Sequence, residues 1–381
     1  MSDVKTVTAI SRSEDPSIAS HELRQQLSDS DISFVLFYCS SIYPLDALAL
    51  QMTSAFSGID VVGCTTAGEI TPKGYEQHSI IAIGFSSKYF AISAQIVESM
   101  EKFSLIDAQE TVNKLTEACY LKKLTPIKSN SFILTLLDGL SSDEEQFLVT
   151  LNSASAGIPH FGGSAGDDIH LAKTHVFYQG SFFQNAAIVI MVNTKCAFEV
   201  FSCNHIKEPI SKVVVTAAHA ESRTVYELNA EPAALEYARL LNVKVEDLSP
   251  AVFALNPLAV KVGSQYYIRA IQKVNEVDHS LTFYCAVDVG IVLSTVEMDD
   301  IFSTLNGTLS RMVSTYGEPD LVLTCDCFLR RLEIEQRGLL SQAKALQERY
   351  NISGFNTYGE HIDGTHLNQT FTGVFIARGD G

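Results

Sequence analysis

One pattern is written three times along this chain, and it constrains the fold more than any other feature. A β-rich apolar run is followed by a helix, then a second strand entering a small-residue turn with Gly and an acid, then a closing strand. In the first copy Ile32-Ser33-Phe34-Val35-Leu36-Phe37-Tyr38 is the run. Pro44 opens a helix to about Phe56 and Gly58 ends it, as Pro at a helix start and Gly after its end should. Val61-Val62 leads into Gly63-Cys64-Thr65-Thr66-Ala67-Gly68-Glu69, and Ser79 to Phe85 closes the copy. The second copy runs from Phe132–Leu137 through a helix beginning at Ser142-Asp143-Glu144-Glu145 to Gly162-Gly163-Ser164-Ala165-Gly166-Asp167-Asp168, and on to strands near His175–Tyr178 and Ala186–Val192. The third has Leu321–Cys325, a helix over Glu333–Tyr350, the turn Gly354-Phe355-Asn356-Thr357-Tyr358-Gly359-Glu360, and Phe371–Ala377. The copies imply internal duplication, and their spacing is too long and irregular for a solenoid.

The segment from about 195 to 320 has elements of its own. Strands are predicted at Phe198–Cys203, Lys212–Thr216, Tyr266–Ile271, Ser280–Ala286 and Gly290–Leu293, with helices from Glu231-Pro232 to about Leu241 and over Asp299–Tyr316. Many connections are hairpin-like, so a mixed α/β (α+β) fold with largely antiparallel sheets flanked by helices fits better than a pure parallel sheet. The predicted layout is a polar tail and short helix over residues 1–30, one domain over 31–225 and a second over 226–381.

Acidic residues outnumber basic ones 44 to 27, a formal net charge of -17. That field repels nucleic-acid phosphates and anionic lipid, so neither is an expected partner. The polar start carries no secretory signal, and no run approaches the ~20 apolar residues that span a bilayer. Eight cysteines lie scattered, mostly within apolar runs, as reduced buried thiols would. These features predict a soluble, cytoplasmic protein.

Gly63–Glu69 and Phe161–Asp167 resemble the turns of the N-terminal FIST domain. Glu227-Leu228-Asn229-Ala230-Glu231-Pro232-Ala233, Asp326-Cys327-Phe328-Leu329-Arg330-Arg331 and Gly354–Glu360 resemble its C-terminal companion. The resemblance covers nearly the whole chain after the tail. It implies two FIST domains in a bacterial or archaeal sensory module of signal transduction. The stand-alone branch of nitric-oxide sensors implies non-covalent haem b and a partner in trans, a two-component histidine kinase or a cyclic-di-GMP turnover enzyme. A homo-oligomer is compatible with this reading. The alternative is a haem-free module binding an amino acid, an amine or a similar metabolite.

A haem sensor needs an axial ligand, commonly a neutral His in a pocket with apolar walls. His205, just past a strand end beside the domain junction, is the first candidate for the iron and His366 the second; the bland reading of each is a hydrogen-bonded loop histidine. No Cys-x-x-Cys-His is present for covalent attachment. The Gly/acid turns read individually as tight packing, with Gly supplying unusual backbone angles. Taken together, Cys64, Thr65, Gly68, Glu69, Ser164, Gly166, Asp167, Tyr358 and Glu360 are the expected lining of a ligand pocket whose carboxylates suit an amine. Cys325 and Cys327 with Cys203 and His205 read as buried thiols rather than zinc ligands, lacking Cys-x-x-Cys spacing. Arg330-Arg331 reads as a solvated, salt-bridged helix start. No G-x-S-x-G, H-E-x-x-H or kinase signature points to an enzyme.

Overall fold

The computed structural model describes residues 5–29 and 31–380. The triplicate pattern becomes three units of one topology. The first unit holds β1 (Thr6–Ser11), α1 (Pro16–Gln26), β2 (Ile32–Ser40), α2 (Leu45–Ala55), β3 (Asp60–Thr66), the hairpin β4 (Glu69–Thr71) and β5 (Gly74–Glu76), and β6 (Ile80–Ser86). The second repeats this order with β7 (Phe90–Val97), α3 (Leu105–Leu121), β8 (Ser131–Leu137), α4 (Glu144–Ala154), β9 (His160–Ser164), β10 (Val176–Tyr178), β11 (Ser181–Phe183) and β12 (Ala187–Thr194). The third opens with β13 (Cys196–Cys203) and is interrupted by an insertion. That insertion carries β14 (Ile206–His219), β15 (Thr224–Leu228), β16 (Glu231–Pro232), α5 (Ala233–Leu241), α6 (Pro250–Leu255), β17 (Leu258–Val262), β18 (Gln265–Arg269), β19 (Ile271–Val274), β20 (Leu281–Phe283) and β21 (Val292–Met298). The unit resumes with α7 (Ser303–Tyr316), β22 (Pro319–Cys327), α8 (Phe328–Gln336), α9 (Leu340–Arg349), β23 (Ile352–Thr357), β24 (Glu360–Ile362), β25 (Thr365–Leu367) and β26 (Phe371–Asp380).

Each unit builds a six-stranded sheet in which one parallel pair (β2–β3, β8–β9, β22–β23) is flanked by antiparallel strands. The hairpin that follows the Gly/acid turn does not stay at home. β4 pairs with β23, β24 with β9, and β10 with β3, so each sheet is completed by a neighbour's hairpin in cyclic exchange. The inner faces of the three sheets share one core, including Phe34, Leu36 and Tyr38, Leu134 and Leu136, and Leu321, Leu323 and Cys325. The outer faces pack on helices. Strands covered on both faces are apolar at nearly every position, which is why these runs stand out in the sequence.

The insertion forms its own sheet, β18-β17-β21-β14-β15-β20-β19, over a separate core with Tyr237, Phe253 and Phe283. It sits on the core's turns: Tyr284 packs against Phe328 and Tyr358, ring centroids 5.7 and 5.8 Å away.

Several elements differ from the sequence reading. Thr6–Ser11, read as tail, is an edge strand paired with β6. The predicted helix Glu333–Tyr350 is broken at Gly338, whose φ of 68° no helix continues, and its first half starts earlier, at Phe328. Helix α3 and strand β7 were not anticipated, and β14 extends well beyond Lys212–Thr216 on both sides.

Candidate functional site

The three Gly/acid turns meet in a ring. Ala67 N donates to Asn356 O at 2.9 Å and Asn356 N to Gly68 O at 2.7 Å; Gly166 N donates to Thr65 O at 3.0 Å; Ser164 N donates to Gly359 O at 2.8 Å. Approach this close explains the glycines. A methyl on Gly166 would press on the backbone of Thr66 and Ala67, and Gly68, at φ 132°, leaves room only for the Arg331 guanidinium.

The acids of the ring are held by the protein itself. Glu69 Oε1 accepts from Thr66 Oγ1 at 2.5 Å and Oε2 from Ser79 Oγ at 2.6 Å. Glu360 repeats this with Thr357 and, at 3.0 Å, with the backbone N–H and hydroxyl of Thr370. Burial pushes both carboxyls up to about 8, so at neutral pH they keep their protons, and one oxygen of each then donates to its hydroxyl partner while the other accepts. Asp167 instead accepts from the backbone N–H groups of Leu171, Ala172 and Lys173 and from the Tyr358 hydroxyl, fixing the loop from β9 to β10. Thr65 Oγ1 accepts from His175 N at 3.0 Å, and Cys64 lies in the shared core. The sequence-predicted lining is therefore gathered around one ring, with its polar side chains engaged by partners within the protein.

Two buried charge clusters tie this ring to the insertion. Arg330 and Arg331, read from sequence as solvated, are 2% and 4% exposed. The correction has a geometric cause: α8 starts at Phe328, directly after β22, so its first turn is pressed beneath the ring. Arg331 donates to Ala67 O at 2.6 Å, and Arg330 donates to Asp326 Oδ1 at 2.8 Å and to His205 Nδ1 at 3.0 Å. His205 then donates from Nε2 to Glu333 at 2.8 Å. It lies where the chain leaves β13 for the insertion, and its carbonyl accepts from Asp299 N, where the chain returns. Burial holds its imidazole below the usual range, against the pull of Glu333. In the second cluster Glu144, at the start of α4, pairs with Arg223 of the insertion at 2.9 Å and accepts from Ser164; burial raises it to about 7 against the pull of Arg223. Glu145 accepts from Ala286 N at 2.9 Å.

Between insertion and core lies a cleft of two adjoining chambers. The inner one, about 250 Å³, is lined by Ser202, Asn204, Gln265, Tyr267, Asn368 and Thr370 over Ile268, Ile362 and Leu367. The outer one, about 360 Å³, shares Ser202, Asn204 and Gln265 and adds Tyr266, Lys207, Thr304 and Thr308. The wall at 367–370 also carries the contacts between the two bodies. Asn368 Oδ1 accepts from Ala270 N at 3.2 Å, and Gln369 Nε2 donates to Ala254 O at 2.8 Å. Larger hollows beside Tyr120 and beside Phe34 and Tyr178 lie away from the ring.

The FIST N domain model matches residues 33–231 and the FIST C domain model residues 233–363. The chain belongs to the FIST family. FIST domains are sensory, ligand-binding domains of signal transduction. The two matches meet within the insertion, and strands from both sides share its sheet: β14 pairs with β21, and β15 with β20. An uncharacterized protein of Methanocaldococcus jannaschii is 24% identical over 186 residues, 48% of this chain and 35% of the relative, so the match spans about a third of the relative's length. No helix among the described residues is long and apolar enough to cross a membrane.

The two histidines expected to ligate iron in this FIST protein, His205 and His366, do not fit that role. Iron needs a ring nitrogen free to bind it, and both nitrogens of His205 are engaged inside a packed cluster. His366 has no hydrogen-bond partner for either nitrogen among the described residues, but its Nε2 is closed off. It abuts Gly359, where a methyl would collide with it, and is 3.8 Å from Glu144. Neither histidine lines the cleft. The residues that do, Gln265 and Tyr267 above all, carry no motif; they sit on an edge strand, and only the pairing of insertion with core marks them.

Proposed function

We propose that this FIST protein is a haem-free receptor whose small ligand enters the cleft between insertion and core, and whose signal is a change in how the insertion seats on the ring. The observation that carries the reading is the double duty of residues 367–370. They wall the inner chamber and also hold the insertion through Ala270 and Ala254. A ligand touching both bodies has a different affinity for each of their arrangements, which any ligand-driven shift requires. A histidine kinase or a cyclic-di-GMP enzyme reading that shift in trans would complete the pathway.

A thermal-shift screen of amino acids, polyamines and sugars tests this, run on the protein and on Gln265→Trp, which fills the chamber. Hits that vanish in the variant support the reading; hits that persist place the ligand elsewhere. Absorption spectra with added haem decide the competing reading. A stoichiometric Soret band lost in His205→Ala or His366→Ala would overturn ours.

A further inference from the structure

We infer that the ligand of this cleft is an uncharged polyhydroxylated ring, a monosaccharide or cyclic polyol, rather than an amine, an amino acid or an anion. The inference rests on the cleft reading and goes beyond it to the chemical class. Among the described residues no carboxylate, ammonium, guanidinium or imidazole lines the inner chamber. A charged ligand there would lose its hydration with no countercharge to replace it. The one charged side chain lining the outer chamber, among the described residues, is Lys207, and Glu297 takes it at 2.7 Å. Glu360, bonded to Thr370 of this wall, is fully buried, and Thr370 and Thr357 occupy it.

The lining is instead three carboxamides, Asn204, Gln265 and Asn368, and three hydroxyls, Ser202, Tyr267 and Thr370. Asn368 is taken at both ends, by Ala270 N and the Leu367 carbonyl, so Asn204 and Gln265 carry the contact: an amide N–H donates to a sugar hydroxyl, and the second lone pair of the carbonyl oxygen accepts from the adjacent one. Asn204 Oδ1 takes Ile206 N at 3.4 Å and Gln265 Oε1 takes the Tyr267 hydroxyl at 2.9 Å, which leaves the amide N–H groups of both for a ligand. The Tyr267 ring with Ile268, Ile362 and Leu367 supplies the apolar surface against which the C–H face of such a ring packs. At about 250 Å³ the chamber lies just below the roughly 300–1,000 Å³ of drug-sized pockets, as a single small ring requires.

The test uses the full chain with D-glucose, D-galactose, D-ribose and myo-inositol, against L-lysine, L-glutamate and putrescine, by isothermal titration and saturation-transfer NMR. At least one polyol should bind. Gln265→Ala and Asn204→Ala, both on the cleft's accessible side, should each weaken it by about tenfold, one hydrogen bond's worth, with unchanged melting. The charged probes should not bind. Failure of all four polyols overturns the class, as does a charged probe whose binding needs Gln265 and Asn204, though that second result leaves the cleft standing. Binding of any probe that ignores both variants overturns the class and the cleft together.

Discussion

Replacing Glu69 by Gln should make this protein more stable in alkali than it is now. Glu69 is completely buried, between the hydroxyls of Thr66 and Ser79, and burial raises it from 4.5 to about 8. That interval corresponds to about 5 kcal/mol of preference for the protonated carboxyl in the fold. Because the folded value exceeds the unfolded one, the stabilisation is complete below about 4.5. It is lost at about 1.4 kcal/mol per pH unit as pH rises towards 8. Gln keeps the neutral shape, accepting from one hydroxyl and donating to the other. At pH 5 it should therefore match the native protein to within about 1 kcal/mol, one imperfect hydrogen bond. At pH 9 it should exceed it by several kcal/mol. Urea unfolding followed by circular dichroism at both pH values reads the difference directly. An equal loss at both, or a larger loss at pH 9, would show that the carboxylate is charged in the fold and refute the reasoning. Glu360→Gln, the same position in the third unit, should behave alike.

Other perturbations have definite outcomes. Gly68→Ala, facing the Arg331 guanidinium at φ 132°, should cost at least about 2 kcal/mol by urea unfolding. His205→Ala strips partners from Arg330 and Glu333 in a dry site, and should lower stability by about 3 kcal/mol while leaving sugar binding in the cleft intact. His160 is buried neutral, lowered to about 3, so its contribution is present above the unfolded 6.5 and lost as pH falls below it; His160→Gln should gain on the native protein by about 2 kcal/mol at pH 5. Glu144→Gln breaks the pair with Arg223, and amide exchange in β15 and β20 of the insertion should quicken while β8 and β12 stay protected.

The triplicate pattern was legible because its strands are buried on both faces and its turns need glycine where two backbones nearly touch. Strand β1 was not: Thr6-Val7-Thr8-Ala9-Ile10-Ser11 lies at a sheet edge, is half hydroxyl residues without a strict alternation, and reads as a tail. The cyclic exchange of hairpins is long-range pairing, which no local periodicity encodes. Arg330-Arg331 looked solvated because charge is ordinarily outside; the partners that bury it, His205, Asp326 and the Ala67 carbonyl, are mostly remote in sequence. The ring acids were found; the partners that hold Glu69 and Glu360, Ser79 and Thr370, lie ten residues further along in the first and third copies and carry no signal of their own.

Hydrogen–deuterium exchange of the full chain, with and without a saturating polyol that binds, tests the central claim most directly. The account predicts that β18 and residues 367–370 gain protection together, with a changed exchange rate across the insertion's contacts at Ala254 and Ala270. Protection confined to the hollow beside Phe34 and Tyr178, or to the groove beside Tyr120, with β18 and 367–370 unchanged, would contradict it.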